Sequence, residues 1–415
     1  MLNLDDTLYF SSISFNHYHN AIWQKMANEL GPDARFFINI GRRVNPNRFV
    51  TRNGEWSLPW RQELIPGFEM PAYDPGYAKS FAEVSDGKAQ EIKARIAQGE
   101  QFAVMYSGGI DSTVIMAALV KNLTAEELES VTVCASVNSI IENPTFWEKF
   151  IHNRLKVRDS SALKYDDIIE SGLTPITADE GDCIFGTLIG LTLYNNYDQY
   201  IKDLGPETRA NLAPLKYRIS DPEVHFSTYK DLIIKHLSLE GEPDFGRILY
   251  EKYVHNVNTA SVPVHSLHDF FWWLIFNVKY LNCAVRGALY LNDRLDYREC
   301  MYRVVNWFSD PEYQRWSMAN NNNGQKIQRT LSTYKTAARN YIYDVDHNDW
   351  YRNFKIKLES LWTIGIQQDL SQVSVDRRPV SRVALTTDFQ MHYIEDASVQ
   401  EFYRHHLGNY KIDWI

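Results

Sequence analysis

Phe102 to Val114 reads Phe-Ala-Val-Met-Tyr-Ser-Gly-Gly-Ile-Asp-Ser-Thr-Val, an apolar run broken by a polar, glycine-containing turn and resumed at helical spacing. Phe102 to Tyr106 are apolar or aromatic and suit a strand buried on both faces, as in the middle of a parallel sheet. Gly108 and Gly109 permit backbone angles closed to other residues and let the main chain approach a ligand closely. A helix starting at about Asp111 then aims its unpaired N–H groups and the positive end of its dipole at one point. The hydroxyls of Ser107, Ser112 and Thr113 belong at that same point, which is therefore suited to an anion such as a phosphate. Asp111 is the exception there, because a carboxylate beside a phosphate needs a cation between them, and oxygen-bound Mg²⁺ is the natural one. The plainer alternative is a strand-turn-helix in which Asp111 only caps the helix.

The turn has no lysine after its glycines and so departs from the GxxxxGK[ST] pattern. Ser107-Gly108-Gly109-Ile110-Asp111-Ser112 instead resembles the Ser-Gly-Gly-x-Asp-Ser signature of the PP-loop ATP pyrophosphatases. That resemblance implies ATP bound by these six residues, attack on the α phosphorus, and a split into AMP and pyrophosphate. It also implies a doubly wound α/β fold of the adenine nucleotide alpha hydrolase (HUP) kind.

Elements around the turn are consistent with such a fold. A helix is predicted over Ser85 to Ala97, stopping at Gly99. Thr124-Ala-Glu-Glu127 reads as a capping box, Val131 to Ala135 as a second buried strand, and Asn143-Pro144 as the start of a helix carrying Phe146, Trp147, Phe150 and Ile151. Alternating strands and helices imply a parallel sheet with right-handed crossovers and a ligand at the carboxyl ends of its strands. Ala135 and Ser136 then lie beside the turn, where the resemblance places adenine.

A second constellation, Thr174-Pro-Ile-Thr-Ala-Asp-Glu-Gly-Asp-Cys-Ile-Phe-Gly-Thr187, runs from a strand into Asp179, Glu180 and Asp182. Three close carboxylates repel one another unless they are solvated or share a divalent cation and a basic group. The stretch resembles the Ser-Gly-Glu-Gly-(Ala/Ser)-Asp-Glu-Leu-Phe-Gly-Gly segment of asparagine synthetases. Aligned on Asp-x-Ile/Leu-Phe-Gly, Asp182 takes the place of that family's metal-binding aspartate, so Asp111 and Asp182 are the expected Mg²⁺ ligands. Asp179 takes the place of the acidic residue near the reacting centre. Glu180, Cys183 and Thr187 depart from the family pattern, so the substrate does not carry over.

Asn306-Trp-Phe-Ser-Asp310 is similar to the Pro-Phe-Leu-Asp stretch of asparagine synthetases without its proline. Tyr334-Lys335-Thr-Ala-Ala-Arg339 is similar to their Lys-x-x-Leu-Arg helix, and Tyr351-Arg-Asn-Phe-Lys-Ile-Lys357 to a later Arg-x-Lys segment. The resemblance makes Lys335, Lys355 and Lys357 candidate catalytic cations for a departing pyrophosphate. Ordinary surface lysines on amphipathic helices are the alternative, and the choice between Lys355 and Lys357 stays open.

The remaining chain is read as a small α+β or β-rich module over 1–84, a nucleotide-binding core over 85–187 and a mostly helical region over 188–415. Asn53-Gly54 marks a hairpin, and the basic residues Arg42, Arg43, Arg48 and Arg52 read as its solvated face. Tyr229 to Leu237 is helix-like. Ser266 to Leu291 is a helical segment whose Phe270, Phe271, Trp272, Trp273 and Phe276 suit core packing better than a stacking platform.

A net charge of −9 argues against general affinity for nucleic acid or anionic membranes. No apolar run approaches the roughly 20 residues that span a bilayer. Cys134, Cys183, Cys283 and Cys300 lack metal spacing and read as reduced, buried thiols of a cytoplasmic protein. Leu2 stands where glutamine-dependent asparagine synthetases carry their nucleophilic cysteine, so hydrolysis of glutamine by that route is not expected.

The expectation is an ATP- and Mg²⁺-dependent amide synthetase that adenylates a small-molecule carboxylate for attack by ammonia or an amine. A separate amidotransferase subunit or a homo-oligomer is compatible with it. Two alternatives are a PP-loop enzyme adenylating a nucleobase or lactam carbonyl, whose sulfur-transfer form needs a reactive Cys134 or Cys183, and a catalytically silent nucleotide-binding subunit.

Overall fold

A computed structural model describes Arg52 and residues 69–160, 163–186, 193, 196–238, 244–280, 283, 287–288, 292, 294–320 and 335–355. The predicted hairpin around Asn53-Gly54, the other basic residues of its face, Thr187 and Lys357 lie outside the described residues.

Five parallel strands among the described residues form one sheet in the order β3-β2-β1-β4-β5. They are β1 (Phe102–Met105), β2 (Val131–Ala135), β3 (Lys156–Asp159), β4 (Thr174–Thr177) and β5 (Val305–Asn306). Phe102 is in register with Val131 on one side and Thr174 on the other, which makes β1 the central strand. The chain steps outward from β1 through β2 to β3, then returns to β4 on the opposite flank. The carboxyl ends of β1 and β4 therefore mark the point where strand order reverses, the place where open α/β sheets bind their ligands.

Burial follows the alternation of side chains along the strands. Phe102, Val104, Val131 and Val133 join one apolar cluster with α1 (Phe81–Ile96) and α2 (Ile110–Asn122). Ala103, Met105 and Cys134 join a second cluster on the other face, with Tyr165, Ile168 and Ile169 of α4 (Tyr165–Glu170). Helices thus cover both faces of the sheet. Helix α2 is buried continuously from Ser112 to Leu119 because it is enclosed by the sheet, α1 and α10 (Thr336–Asp346).

Helix α1 begins four residues before the predicted Ser85. Ser80 accepts from the Glu83 N–H while Glu83 accepts from the Ser80 N–H, and this reciprocal cap moves the start to Phe81. The cap at Thr124 with Glu127 forms as predicted. Asn143 also caps as predicted, but Trp147–Ile151 continue as a π-helical turn. The edge strand β3 was not predicted, because Lys-Val-Arg-Asp is largely exposed and carries no apolar run.

Beyond the sheet lie α6 (Lys230–Leu237), α7 (Phe245–Asn258) and α8 (Leu267–Leu274), with α9 (Pro311–Ala319) packed against α1. Phe270, Trp272, Trp273 and Phe276 are buried, so the aromatic crowding is core as expected. One bonded chain connects this core to the segment after β4: Trp272 Nε1 donates to Ser317 Oγ at 3.0 Å, and Ser317 Oγ donates to the Ile184 carbonyl at 2.6 Å. Arg52 is a correction, for it is buried rather than on a solvated face. Its guanidinium lies 3.8 Å from the centroid of the Tyr280 ring and donates to the Glu69 carbonyl at 2.9 Å.

Candidate functional site

The site is built where β1 gives way to α2. Gly108 adopts φ 70°, a conformation that glycine takes without strain. A side chain there would meet the Ser139 carbonyl oxygen, 2.1 Å from an ideal Cβ. That carbonyl belongs to α3 (Val137–Glu142), which packs directly on the turn. Gly109 precedes the first helical residue, Ile110, and no side chain caps the helix. N–H groups of the first turn of α2 are therefore left pointing out of the helix.

Serine hydroxyls brace this turn from within. Ser107 N–H donates to Ser112 Oγ at 3.1 Å, the two hydroxyls are 2.9 Å apart, and Gly109 N–H donates to Ser107 Oγ at 3.3 Å. Ser107, Gly109, Ile110 and Asp111 remain partly accessible, whereas Ser112 is buried. Thr113 is a correction to the sequence reading. It is fully buried, and its hydroxyl lies 3.3 Å from the Tyr351 hydroxyl on the inner side of the helix.

Asp111 and Asp182 come together from different elements. Lys335 Nζ donates to Asp111 Oδ1 at 2.7 Å and to Asp182 Oδ1 at 2.8 Å. Asp182 lies in the first turn of α5 (Gly181–Phe185), directly after β4. Gly181 lets the two segments approach, since a Cβ there would lie 2.4 Å from Asp111 Cγ. The acidic triplet is split by the fold. Asp182 faces Asp111, Glu180 is turned into the interior, and Asp179 stands half-buried two residues past the end of β4. Among the described residues there is no group of three or more His, Cys, Asp or Glu side chains placed to hold a metal. Two converging carboxylates nevertheless fit Mg²⁺ when nucleotide phosphates and water complete the shell, which is how that ion is usually held.

Ala135 and Ser136 lie at the carboxyl end of β2 as predicted, both buried. The Ala135 carbonyl accepts from Ser160 N–H at 2.9 Å, and Ser136 caps α3 by accepting from Ser139 N–H. Lys355 is buried and ion-paired with Glu142 on α3, behind the turn. Arg339 holds that segment by donating to the carbonyls of Arg352 at 2.9 Å and Lys355 at 2.8 Å. Tyr351, in α11 (Asp349–Phe354), donates to the Gly108 carbonyl at 3.2 Å. Burial pushes its phenol well above the usual range and so keeps it a donor.

Glu142, Tyr351 and Gly181 went unpredicted as parts of the site. Only the Gly in Asp-Glu-Gly-Asp182 carried a sequence signal, as a point of close backbone approach. The cysteines are all free and buried. Burial pushes the Cys134 thiol up to about 12 and raises Cys183 as well, so neither offers a thiolate at neutral pH.

The arrangement can hold a polyanion at a helix start, place one shared cation beside it, and keep a second cation and a phenol behind it. No protein-family model, curated protein or solved structure matches this chain. Among the described residues no helix is long and apolar enough to cross a membrane.

Proposed function

We propose that the chain is a PP-loop ATP pyrophosphatase similar to the synthetase part of asparagine synthetases, forming an amide from a small carboxylate and ammonia or an amine. One observation supports this most: Lys335 joins Asp111 of the phosphate turn to Asp182 after β4. Three distant segments that carry the family resemblance thus meet at the strand-order reversal, where α/β sheets bind their ligands.

The residues divide the work by position. The start of α2 and the turn Ser107 to Ser112 receive the triphosphate, with Ala135 and Ser136 beside the adenine. Asp111 and Asp182 would hold Mg²⁺, which would supply neutralisation of the phosphate charge. The substrate carboxylate oxygen bonds to the α phosphorus as the bond from that phosphorus to the α,β-bridging oxygen breaks. Lys335 neutralises charge growing on the departing pyrophosphate. The amine then attacks the acyl carbon and AMP leaves, and Asp179, which takes the place of the family's acidic residue near the reacting centre, accepts the amine proton. Lys355 supports the turn through Glu142, and proximity supplies much of the rest.

The test is ATP–pyrophosphate exchange by the purified chain with Mg²⁺ and a panel of carboxylates, including aspartate and sugar acids. Exchange stimulated by one acid and abolished in Asp111→Ala is the expected result. If AMP forms only with a nucleobase or nucleic acid, the modification enzyme replaces the amide synthetase. ATP that binds and is never turned over points to a nucleotide-binding subunit instead.

A further inference from the structure

Lys335 is an unusual residue in three respects. Its side chain is 4% exposed, its backbone lies in the left-handed region at φ 56° and ψ 43°, and its ammonium touches two carboxylates from separate elements. Burying an ammonium and holding a non-glycine residue left-handed are both unfavourable. The convergence of Asp111 and Asp182 offsets these costs. The approach of the two acidic segments is also set by the backbone, because Asp111 lies against Gly181 where no Cβ would fit.

The ammonium therefore occupies the point that a cation shared by the two carboxylates must take. Its nitrogen is 2.7 Å from Asp111 Oδ1 and 2.8 Å from Asp182 Oδ1. A magnesium ion binds oxygen at about 2.0–2.1 Å. A divalent ion on the same oxygens would overlap the space of this nitrogen, and two cations at such a distance repel strongly. The ion and the ammonium exclude each other.

We propose that Lys335 is a resident cation that occupies the metal position in the nucleotide-free protein and yields it only when nucleotide arrives. This rests on the reading of Ser107 to Ser112 as the nucleotide site. On displacement the ammonium moves to the newly bound phosphate oxygens, the nearest negative charge entering the site. Divalent metal then binds poorly without nucleotide, and the two bind cooperatively. Removing the ammonium leaves two carboxylates in mutual repulsion and a vacant position, which raises their affinity for a divalent ion.

The test uses Mn²⁺ as the probe, followed by electron paramagnetic resonance on the full chain, with and without α,β-methylene-ATP, in which pyrophosphate cannot leave. Wild type is compared with Lys335→Met, which removes the charge, and Lys335→Arg, which retains it. Lys335→Met is expected to bind Mn²⁺ without nucleotide roughly tenfold more tightly than wild type, with Lys335→Arg staying near wild type. Equal nucleotide-free affinity in wild type and Lys335→Met overturns the proposal while leaving the nucleotide site intact. Thermal melting checks that the variant folds, and Lys335→Gln replaces it in the same comparison if it does not. Wild type that takes up neither α,β-methylene-ATP nor its Mn²⁺ complex overturns the nucleotide site, and the role of Lys335 with it.

Discussion

The Tyr351 hydroxyl donates to the Gly108 carbonyl oxygen at 3.2 Å, bonding helix α11 to a turn 243 residues earlier in the chain. Removing that hydroxyl leaves a buried carbonyl with one partner fewer. Tyr351→Phe is expected to lose about 1 kcal/mol in urea unfolding and to weaken binding of a fluorescent ATP analogue, because Gly108 is then less firmly held. Wild-type stability together with wild-type nucleotide affinity would show the bond to be idle.

Gly108→Ala tests the turn more severely. The left-handed backbone alone costs roughly 1–2 kcal/mol for a non-glycine residue. The added methyl carbon would also lie 2.1 Å from the Ser139 carbonyl oxygen and 2.6 Å from Glu142 Cβ. Gly172 is the natural control, since its φ is 83° and nothing lies within 4 Å of an added Cβ. Calorimetry is expected to show Gly108→Ala losing clearly more stability than Gly172→Ala, with nucleotide binding impaired only in the former.

Glu142 and Lys355 form a buried ion pair whose side chains are 2% and 1% exposed. Removing one partner strands a charge in the interior, and Lys355→Met or Glu142→Leu alone is expected to cost about 3–5 kcal/mol. The double variant restores neutrality and is expected to recover much of that loss. A denaturant double-mutant cycle measures the coupling, and additive single effects would contradict the pairing.

Stability should also depend on Asp346, whose carboxyl is pushed by burial from the ordinary 3.8 to about 6. Lys149 and His347 oppose that rise, and the Asn348 N–H donates to its Oδ1 at 2.8 Å. A folded-state value above the unfolded one means that the native protein holds the proton more tightly. The contribution is therefore present below about pH 4 and lost as pH rises through about 6. Asp346→Asn is expected to flatten this part of the stability profile and to be the more stable protein at neutral pH. Parallel pH profiles for the two proteins would rule the effect out.

The four thiols are buried, with Cys134 and Cys300 each raised to about 12. At pH 8 the native protein is expected to react with a disulfide reagent far more slowly than the denatured chain, which should release all four thiols. Rapid stoichiometric modification of Cys134 in the native state would revive a sulfur-transfer chemistry.

Local patterns were readable wherever one segment carries its own instruction. Phe102 to Ser112 announces strand, turn and helix because burial on both faces and paired glycines leave few other conformations. Thr124 with Glu127 and Asn143 with Pro144 specify caps through neighbours only a few residues away. The aromatic run around Trp272 reads as core from its density alone. Lys156 to Asp159 failed that test, since an edge strand in water needs no apolar signature, whereas Ser80 and Glu83 stand at the spacing of a reciprocal cap and set the start of α1 locally.

The sequence alone decides that parallel strands flank a paired-glycine turn into a helix and that carboxylates follow a later strand, since hydrophobic period and glycine placement are local properties. Only the tertiary structure decides that Lys335 lies between Asp111 and Asp182, that Lys355 is neutralised by Glu142, and that Tyr351 rather than solvent meets Gly108. Those pairings join residues 153 to 243 positions apart. Strand order and helix packing set them, and a charged side chain carries no mark of the partner it will find across a fold.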